Sequence, residues 1–166
     1  MSGGPRTLQP VTPKLHELRR IRVIADYQFG RGASKAFPDT IKITRSPRTH
    51  KIRYIFKDGE LLATLRAKDG FLAITVQGGR ALHKLFKPPR LRVRVLPDVE
   101  EFIKKGGNVF AKHVVRVDPE LRPEEEVLIV GRRDQLLAVG RSFFNAPEMM
   151  SFTVGMAVKV RHGLDA

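Results

Sequence analysis

The sequence predicts an α+β fold in two domains. A small N-terminal α+β domain has a helix, about four antiparallel strands and a second helix, and a small C-terminal β-barrel follows it. Three patterns predict this: apolar residues at helical spacing near the start, short β-rich segments joined by Asp-Gly and Gly-rich turns, and a Pro-Pro pair in the middle. With 166 residues, 42% of them hydrophobic, the chain has enough apolar material for two small cores.

The domain boundary is placed at Pro88-Pro89, because two successive prolines resist both helix and central strand. We expect a flexible tail at 1–12, rich in Gly and Pro. A first domain at 13–87 and a second domain at 90–163 then follow. The start of the chain lacks the apolar stretch of a secretory signal and no segment has the roughly 20 apolar residues of a membrane helix, so we expect a cytoplasmic protein with no membrane partner.

The first helix is predicted to begin at Thr12-Pro13, with Thr12 as N-cap and Pro13 in the first helical position. Its apolar stripe is Leu15, Leu18, Ile21 and Ala25, and the basic residues off this stripe are Arg19, Arg20 and Arg22. The helix should end before Gly30. Strands are then expected around 41–43 and at 53–56, 61–65 and 71–75, with Asp-Gly turns at 58–59 and 69–70 and a closing helix at 78–86.

The second domain is dominated by short strands. Leu91, Val93 and Val95 alternate with arginines and should point inward. A helix at 97–105 should stop at Gly106-Gly107. The remaining expected elements are a strand at 109–117, a hairpin of 126–130 with 136–141, a helical turn at 147–152 and a closing strand at 156–161.

The net charge of +14 indicates a polyanionic partner, of which nucleic acid is the commonest. A surface rich in both signs would balance Lys and Arg against Asp and Glu, but here the counts are 31 and 17. The excess is uneven, because residues 1–89 hold 18 basic and 6 acidic side chains whereas residues 90–166 hold 13 and 11. Most of the electrostatic attraction should therefore come from the first half.

The spacings of common catalytic and metal sites are missing from the sequence. Cysteine is absent, which excludes disulfides, thiolate catalysis and Cys-based zinc sites, and no two of the five histidines have metal-ligand spacing. The acidic run 124–126 is expected to be a solvated loop, and Asp26 is a lone carboxylate on a helix. We therefore expect no enzymatic activity, no cofactor and no metal.

The second half resembles a PUA domain, the module of pseudouridine synthases and archaeosine transglycosylases. The segments that carry the resemblance are KGGNVFAK at 105–112, Arg-Pro at 122–123, LAVGR at 137–141 and GMAVKV at 155–160. In the first half, ADYQFGRGA at 25–33 and DGELLATLR at 58–66 resemble the domain that precedes PUA in archaeal tRNA-guanine transglycosylase. The whole chain from residue 15 onward is thus similar to the C-terminal module of that enzyme, as a stand-alone PUA-domain protein.

The resemblance implies RNA placement and not base exchange. The transglycosylase family performs its chemistry in a (β/α)₈ barrel with paired aspartates and a cysteine-rich zinc site, and such a barrel takes roughly 250 residues. In the family, PUA grips the acceptor end of tRNA. We therefore expect a non-catalytic protein that binds tRNA, acting in trans with a tRNA-modifying enzyme that lacks its own PUA tail. The alternative is a ribosome-biogenesis or translation factor that binds rRNA.

The predicted RNA contacts of the second domain surround Gly106-Gly107, where a backbone can approach a phosphate and expose N–H groups. They are Lys104, Lys105, Gly106, Gly107, Asn108, Phe110 and Lys112, with Lys159 and Arg161 on the closing strand. Asn108 would bond a base edge or a 2′-hydroxyl, and Phe110 would stack on an unpaired base. The alternatives are a plain helix cap for the glycines, a local turn for Asn108, core packing for Phe110 and simple solvation for Lys112.

The predicted contacts of the first domain are basic. Arg31 follows the first helix between two glycines, and Tyr27 and Phe29 beside it are expected to fill the core. A hairpin tip is expected at Ser46-Pro47. The phosphate contacts around it are Arg45, Arg48, Lys51 and Arg53.

Overall fold

The computed structural model describes residues 9–166. The chain forms two compact units, of which the first ends at Ala73 and the second covers Ile74–Ala166. Residues 1–8 of the predicted tail lie outside the described residues. Val11, also within that predicted tail, exchanges two backbone hydrogen bonds of 2.8 Å with Ile43.

The first unit is a helix followed by a four-stranded antiparallel meander. Its elements are α1 (Leu15–Phe29), a 3₁₀ turn (Ala33–Ala36), β1 (Lys42–Arg45), β2 (Ile52–Lys57), β3 (Glu60–Leu65) and β4 (Leu72–Ile74). The strand order is β1-β2-β3-β4. This confirms the predicted helix, the four strands and both Asp-Gly turns.

The predicted start of the first helix was wrong by two residues. α1 is capped at Lys14, whose backbone N–H donates to Glu17 Oε1 at 2.9 Å, so the carboxylate at the third helical position determines where the helix begins. Leu15 is consequently 63% exposed instead of lying in the apolar stripe. The other three predicted stripe residues are buried, and Phe29 joins them.

The second unit combines three helices with a curled sheet. Its helices are α2 (Val76–Leu85), α3 (Glu100–Lys104) and α4 (Ala146–Ser151), and its strands are β5 (Arg92–Val95), β6 (Val109–Phe110), β7 (Val114–Val117), β8 (Glu126–Val130), β9 (Leu136–Ser142) and β10 (Met156–Gly163). The six strands run in the order β6-β10-β9-β8-β5-β7 and form a nearly closed barrel. The barrel core includes Val93, Ile103, Val127, Ile129 and Val158.

The single long strand predicted at 109–117 is broken in two. A 3₁₀ turn at Ala111–His113 separates β6 from β7, and these two strands lie at opposite edges of the sheet. The N–H of Ala111 donates to Gly155 O at 2.9 Å, which holds the turn against the start of β10. Apolar alternation continues across this corner, so periodicity alone could not reveal it.

Two charged residues that were expected in solvent are buried. Arg92 is 4% exposed, and its guanidinium donates to Asp134 at 2.7 and 3.2 Å and to the carbonyls of Arg90 and His83. Glu126, predicted to be part of a solvated acidic loop, is 2% exposed and begins β8. Buried charges require such partners, and the carboxylate partner of Arg92, Asp134, is 42 residues away in the sequence.

Helix α2 packs closely on the outer face of the barrel through Gly79. A Cβ atom placed on Gly79 would lie 2.5 Å from Val139 Cγ1 and 3.4 Å from Leu128 Cδ2. Leu128 and Val139 are both fully buried, so the barrel has an apolar outer patch beneath α2 in addition to its internal core.

Candidate nucleic-acid interface

The predicted basic hairpin tip forms in the first unit. Ser46 N–H donates to Lys51 O at 2.8 Å and closes the turn between β1 and β2. Arg48 and Lys51 are exposed, and within residues 9–166 the structure records no side-chain partner for either. The guanidinium of Arg53, also exposed, lies 6.0 Å from the ring centre of Tyr54.

Arg45 has a partner inside the unit. Its guanidinium bonds both oxygens of Glu17, at 2.5 and 3.2 Å. Burial raises the pKa of Glu17, but the bonds from Arg45 and from the Lys14 backbone outweigh burial and place that pKa below its ordinary value. Arg45 therefore links β1 to α1, and its guanidinium is engaged within the fold.

A stacked aromatic pair, of which Tyr27 is exposed and Phe71 half-buried, lies at the end of α1. The prediction that Tyr27 fills the core was wrong, because its side chain is 80% exposed and stacks on Phe71 with ring centres 6.1 Å apart. Phe29 is buried, as predicted. Arg31 is exposed in the turn that follows, between two glycines with positive φ. Flat exposed rings beside cations are a favourable surface for unpaired bases.

The Gly106-Gly107 turn ends α3 as predicted, but its N–H groups are not free for a phosphate. Gly106 N–H donates to Ile103 O at 2.9 Å, and Gly107 N–H donates to Phe102 O at 3.0 Å. Gly106 has a φ of 102°, and a Cβ on Gly107 would overlap the ring of Phe102. The helix-cap interpretation of the two glycines is therefore correct.

The two lysines before this turn differ. Lys104 Nζ lies 3.4 Å from a carboxylate oxygen of Asp165 and 3.4 Å from one of Glu101. Both carboxylates raise the pKa of Lys104, and Asp165 has the larger effect. Lys105 is exposed, and no side-chain partner is recorded for it in the described part of the chain. Lys105 is thus the better placed of the two to meet a phosphate.

The segment 108–112 makes contacts within the second unit. Asn108 Oδ1 accepts the N–H of Val160 at 2.9 Å, so this oxygen supports β10 and is not free for a base. Phe110 is 37% exposed and packs edge-on against the imidazole of His113, 5.7 Å away, which does not support the core-packing alternative. Lys112 is exposed on the 3₁₀ turn.

The closing strand carries one exposed and one engaged cation. Lys159 projects outward from β10, opposite Arg141 of β9. Arg161 forms an ion pair with Glu126 through both guanidinium nitrogens and is committed to the barrel. Because β10 pairs with β6, we group Lys159 with the exposed residues on and beside β6, Lys105, Phe110 and Lys112, and call these four residues the β6 surface.

Other classes of site find no support in the part of the chain that is described. Across residues 9–166, no group of three His, Asp or Glu side chains could hold a metal ion. No helix in the same range is long and apolar enough to cross a membrane.

In the comparison with known proteins, the two halves of the chain match two different families. Residues 19–89 match the family described as the patch-forming domain C2 of tRNA-guanine transglycosylase, and residues 92–164 match the PUA domain. The tRNA-guanine(15) transglycosylase of Thermococcus kodakarensis is 44% identical over 165 residues. That alignment covers 99% of this chain but 28% of that enzyme, so the chain spans little more than a quarter of this relative.

Solved structures support the fold over nearly the whole chain. A hypothetical protein from Pyrococcus horikoshii OT3 has a TM-score of 0.74 at 19% identity, covering 95% of both chains. A conserved PUA domain protein from Thermoplasma acidophilum has a TM-score of 0.67 at 19% identity, covering 93% of both. At such identities the likeness concerns the fold.

Proposed function

Because the chain carries the C2 patch-forming domain of tRNA-guanine transglycosylase followed by a PUA domain, we propose that it is a non-catalytic protein that binds tRNA at the acceptor-stem end. The observation that carries this proposal is the β6 surface, where Lys105, Lys112 and Lys159 are exposed on segments that flank β6 or pair with it, and Phe110 of β6 is 37% exposed. Three cations and an exposed ring suit a phosphate backbone next to an unpaired base.

The first unit contributes long-range attraction in this proposal. It holds most of the excess positive charge, and Arg31, Arg48, Lys51 and Arg53 are all exposed. Such cations neutralise phosphates and release counterions, so binding should weaken steeply as salt rises. The full chain should therefore bind RNA more tightly than its second unit alone.

tRNA is favoured over rRNA because the curated relatives that match the chain are named for tRNA-guanine transglycosylation. The chain matches a region of about a quarter of such an enzyme and contains no cysteine. We infer that it presents tRNA to a modifying enzyme in trans and performs no base exchange itself. Incubation with tRNA and labelled free base should accordingly leave the tRNA unlabelled.

The proposal is tested by measuring the affinity of the full chain for intact tRNA at several salt concentrations. Lys105→Glu and Lys112→Glu should each weaken binding about tenfold or more and make the salt dependence less steep, by roughly one unit of slope for each lysine–phosphate pair that the substitution removes. Lys84→Glu, an exposed lysine on α2, is the matched control for the same charge change.

Further measurements distinguish binding of the tRNA acceptor end from a net-charge effect and from rRNA binding. A tRNA that lacks its 3′ end should bind the unsubstituted protein as weakly as intact tRNA binds the two variants. Equal losses in Lys84→Glu would show that only net charge matters and would contradict the β6 surface. If crosslinking to total cellular RNA at near-physiological salt enriches rRNA and not tRNA, the alternative of a ribosome-associated factor is correct.

A further inference from the structure

A second basic site lies in the second unit, in a cavity of about 370 Å³. The apolar part of its lining, which we call the floor, consists of Pro88, Pro89, Val117, Pro119 and Val130. Its lining also contains Arg94, Arg116, Arg132 and Arg133, which we call the rim arginines. A mostly apolar cavity whose charged side chains are mainly arginines, at the smaller end of the roughly 300–1,000 Å³ usual for ligand sites, suits a small anion with a flat body.

Three segments of the chain bring these arginines together. Arg94 on β5 lies directly opposite Arg116 on the antiparallel strand β7. On its other side Arg94 is paired in register with Val130, the last residue of β8. The turn after β8 then places Arg132 and Arg133 on the same cavity.

The Arg94–Arg116 pair is destabilising when only its effect on folding is considered. Directly opposite residues of an antiparallel pair have their Cβ atoms roughly 4.5–5.5 Å apart, and like charges there repel. Within residues 9–166, the structure records no acceptor for either side chain, nor for the side chains of Arg132 and Arg133. A repulsive arrangement with no internal counterion is expected where an external anion provides one.

The carboxylate that lines the cavity does not serve as that counterion. Both oxygens of Asp134 accept from Arg92, at 2.7 and 3.2 Å. Arg92 is itself buried and fully occupied by this carboxylate and two backbone carbonyls. Within residues 9–166, none of the four rim arginines therefore has a recorded ion pair with a carboxylate.

We propose that this cavity binds a single phosphorylated nucleoside, with the phosphate held by Arg94 and Arg116 and the base on the proline and valine floor. Guanidinium groups pair with phosphate in two parallel hydrogen bonds and also stack on planar rings. The floor offers no hydrogen-bonding side chain, so the site should accept purines and pyrimidines alike. The ligand is either a free nucleotide or an unpaired nucleotide of a bound RNA.

Calorimetric titration of the full chain at low salt tests the proposal with AMP, UMP, adenosine and inorganic phosphate as probes. AMP and UMP should bind with similar affinity, and both should bind more tightly than adenosine or phosphate, because each of those lacks one half of the ligand. Arg94→Gln and Arg116→Gln should each weaken AMP binding about tenfold or more. Arg80→Gln, an exposed arginine of α2 outside the cavity, should leave AMP binding unchanged.

Thermal unfolding separates loss of the site from loss of the fold. Arg116→Gln removes a like-charge contact, so its melting temperature should equal or exceed that of the unsubstituted protein while AMP binding falls. Unchanged AMP binding in both glutamine variants, or no preference for AMP over phosphate, would overturn the proposal.

Two further binding experiments identify the source of the ligand and test this inference independently of the β6 surface. Saturating tRNA should displace AMP if the natural ligand is a nucleotide of the RNA, and should leave AMP bound if it is a free nucleotide. Lys105→Glu should bind AMP normally, whatever its effect on tRNA. If tRNA does not bind, the cavity proposal is therefore unaffected. If AMP does not bind, the proposal of tRNA binding at the β6 surface is likewise unaffected.

Discussion

The carboxylate of Glu126 and the guanidinium of Arg161 form an ion pair that joins the start of β8 to β10 across β9. The Glu126 side chain has no exposed surface, its Oε2 accepts from Arg161 Nη2 at 2.7 Å, and its Oε1 accepts the N–H of Ile74 at 2.9 Å. A predicted RNA contact and an acid that was expected in solvent thus form one internal element of the barrel.

Arg161→Ala should lower the free energy of unfolding by about 3 kcal/mol, because it leaves a buried carboxylate without its counterion. Lys159→Ala on the same strand is the matched control and should change it by less than about 0.5 kcal/mol. Urea denaturation of both variants measures this. Equal effects would mean that Arg161 contributes to the surface and not to the fold.

Gly79→Ala should destabilise the second unit, although alanine is the better helix former by about 1 kcal/mol. The added methyl would lie 2.5 Å from Val139 Cγ1 in a buried contact, and such overpacking costs about 1–3 kcal/mol. In the double variant with Val139→Ala, the alanine at 79 should cost less than it does alone. Additive losses in a double-mutant cycle would contradict this close packing.

The Glu17–Arg45 pair should make the stability of the first unit depend on acid. The pKa of Glu17 is lower in the folded chain, so the contribution of the pair is complete above the unfolded value of about 4.3 and is lost as pH falls through the folded value. Glu17→Gln should cost about 1–3 kcal/mol at pH 7 and nothing at pH values below the folded pKa. Denaturation as a function of pH, with Glu60→Gln as an exposed control, checks both statements.

His113 should titrate below the ordinary histidine pKa of about 6.5. Burial, and then the charge of Lys112, lower the pKa of His113, and its Nδ1 accepts the Phe110 N–H at 3.3 Å, which only the neutral ring can do. Because the unfolded chain binds this proton more readily, acid should remove stability. In an NMR titration, Lys112→Gln should raise the pKa of His113 and Lys105→Gln should not. An unchanged pKa in Lys112→Gln would exclude the charge of Lys112 as a cause.

Features that depend on neighbours along the chain could be predicted from the sequence. Helical spacing placed α1, Asp-Gly pairs placed the turns before β3 and β4, and Gly106 ended α3, because each depends on local backbone preference or on one repeating period. The charge excess and the short motifs are equally local properties of the chain, and they indicated RNA and the PUA domain.

Which charges are internal and which are exposed follows only from the folded chain. Arg92, Asn108, Glu126 and Arg161 are engaged by partners far away in the sequence, and Tyr27 is exposed because the stripe of α1 continues to Phe29. The rim arginines of the cavity come from three separate segments, and only the pairing of β5 with both β7 and β8 makes them neighbours. Burial and charge proximity are properties of the folded chain, so no pattern along the sequence could assign them.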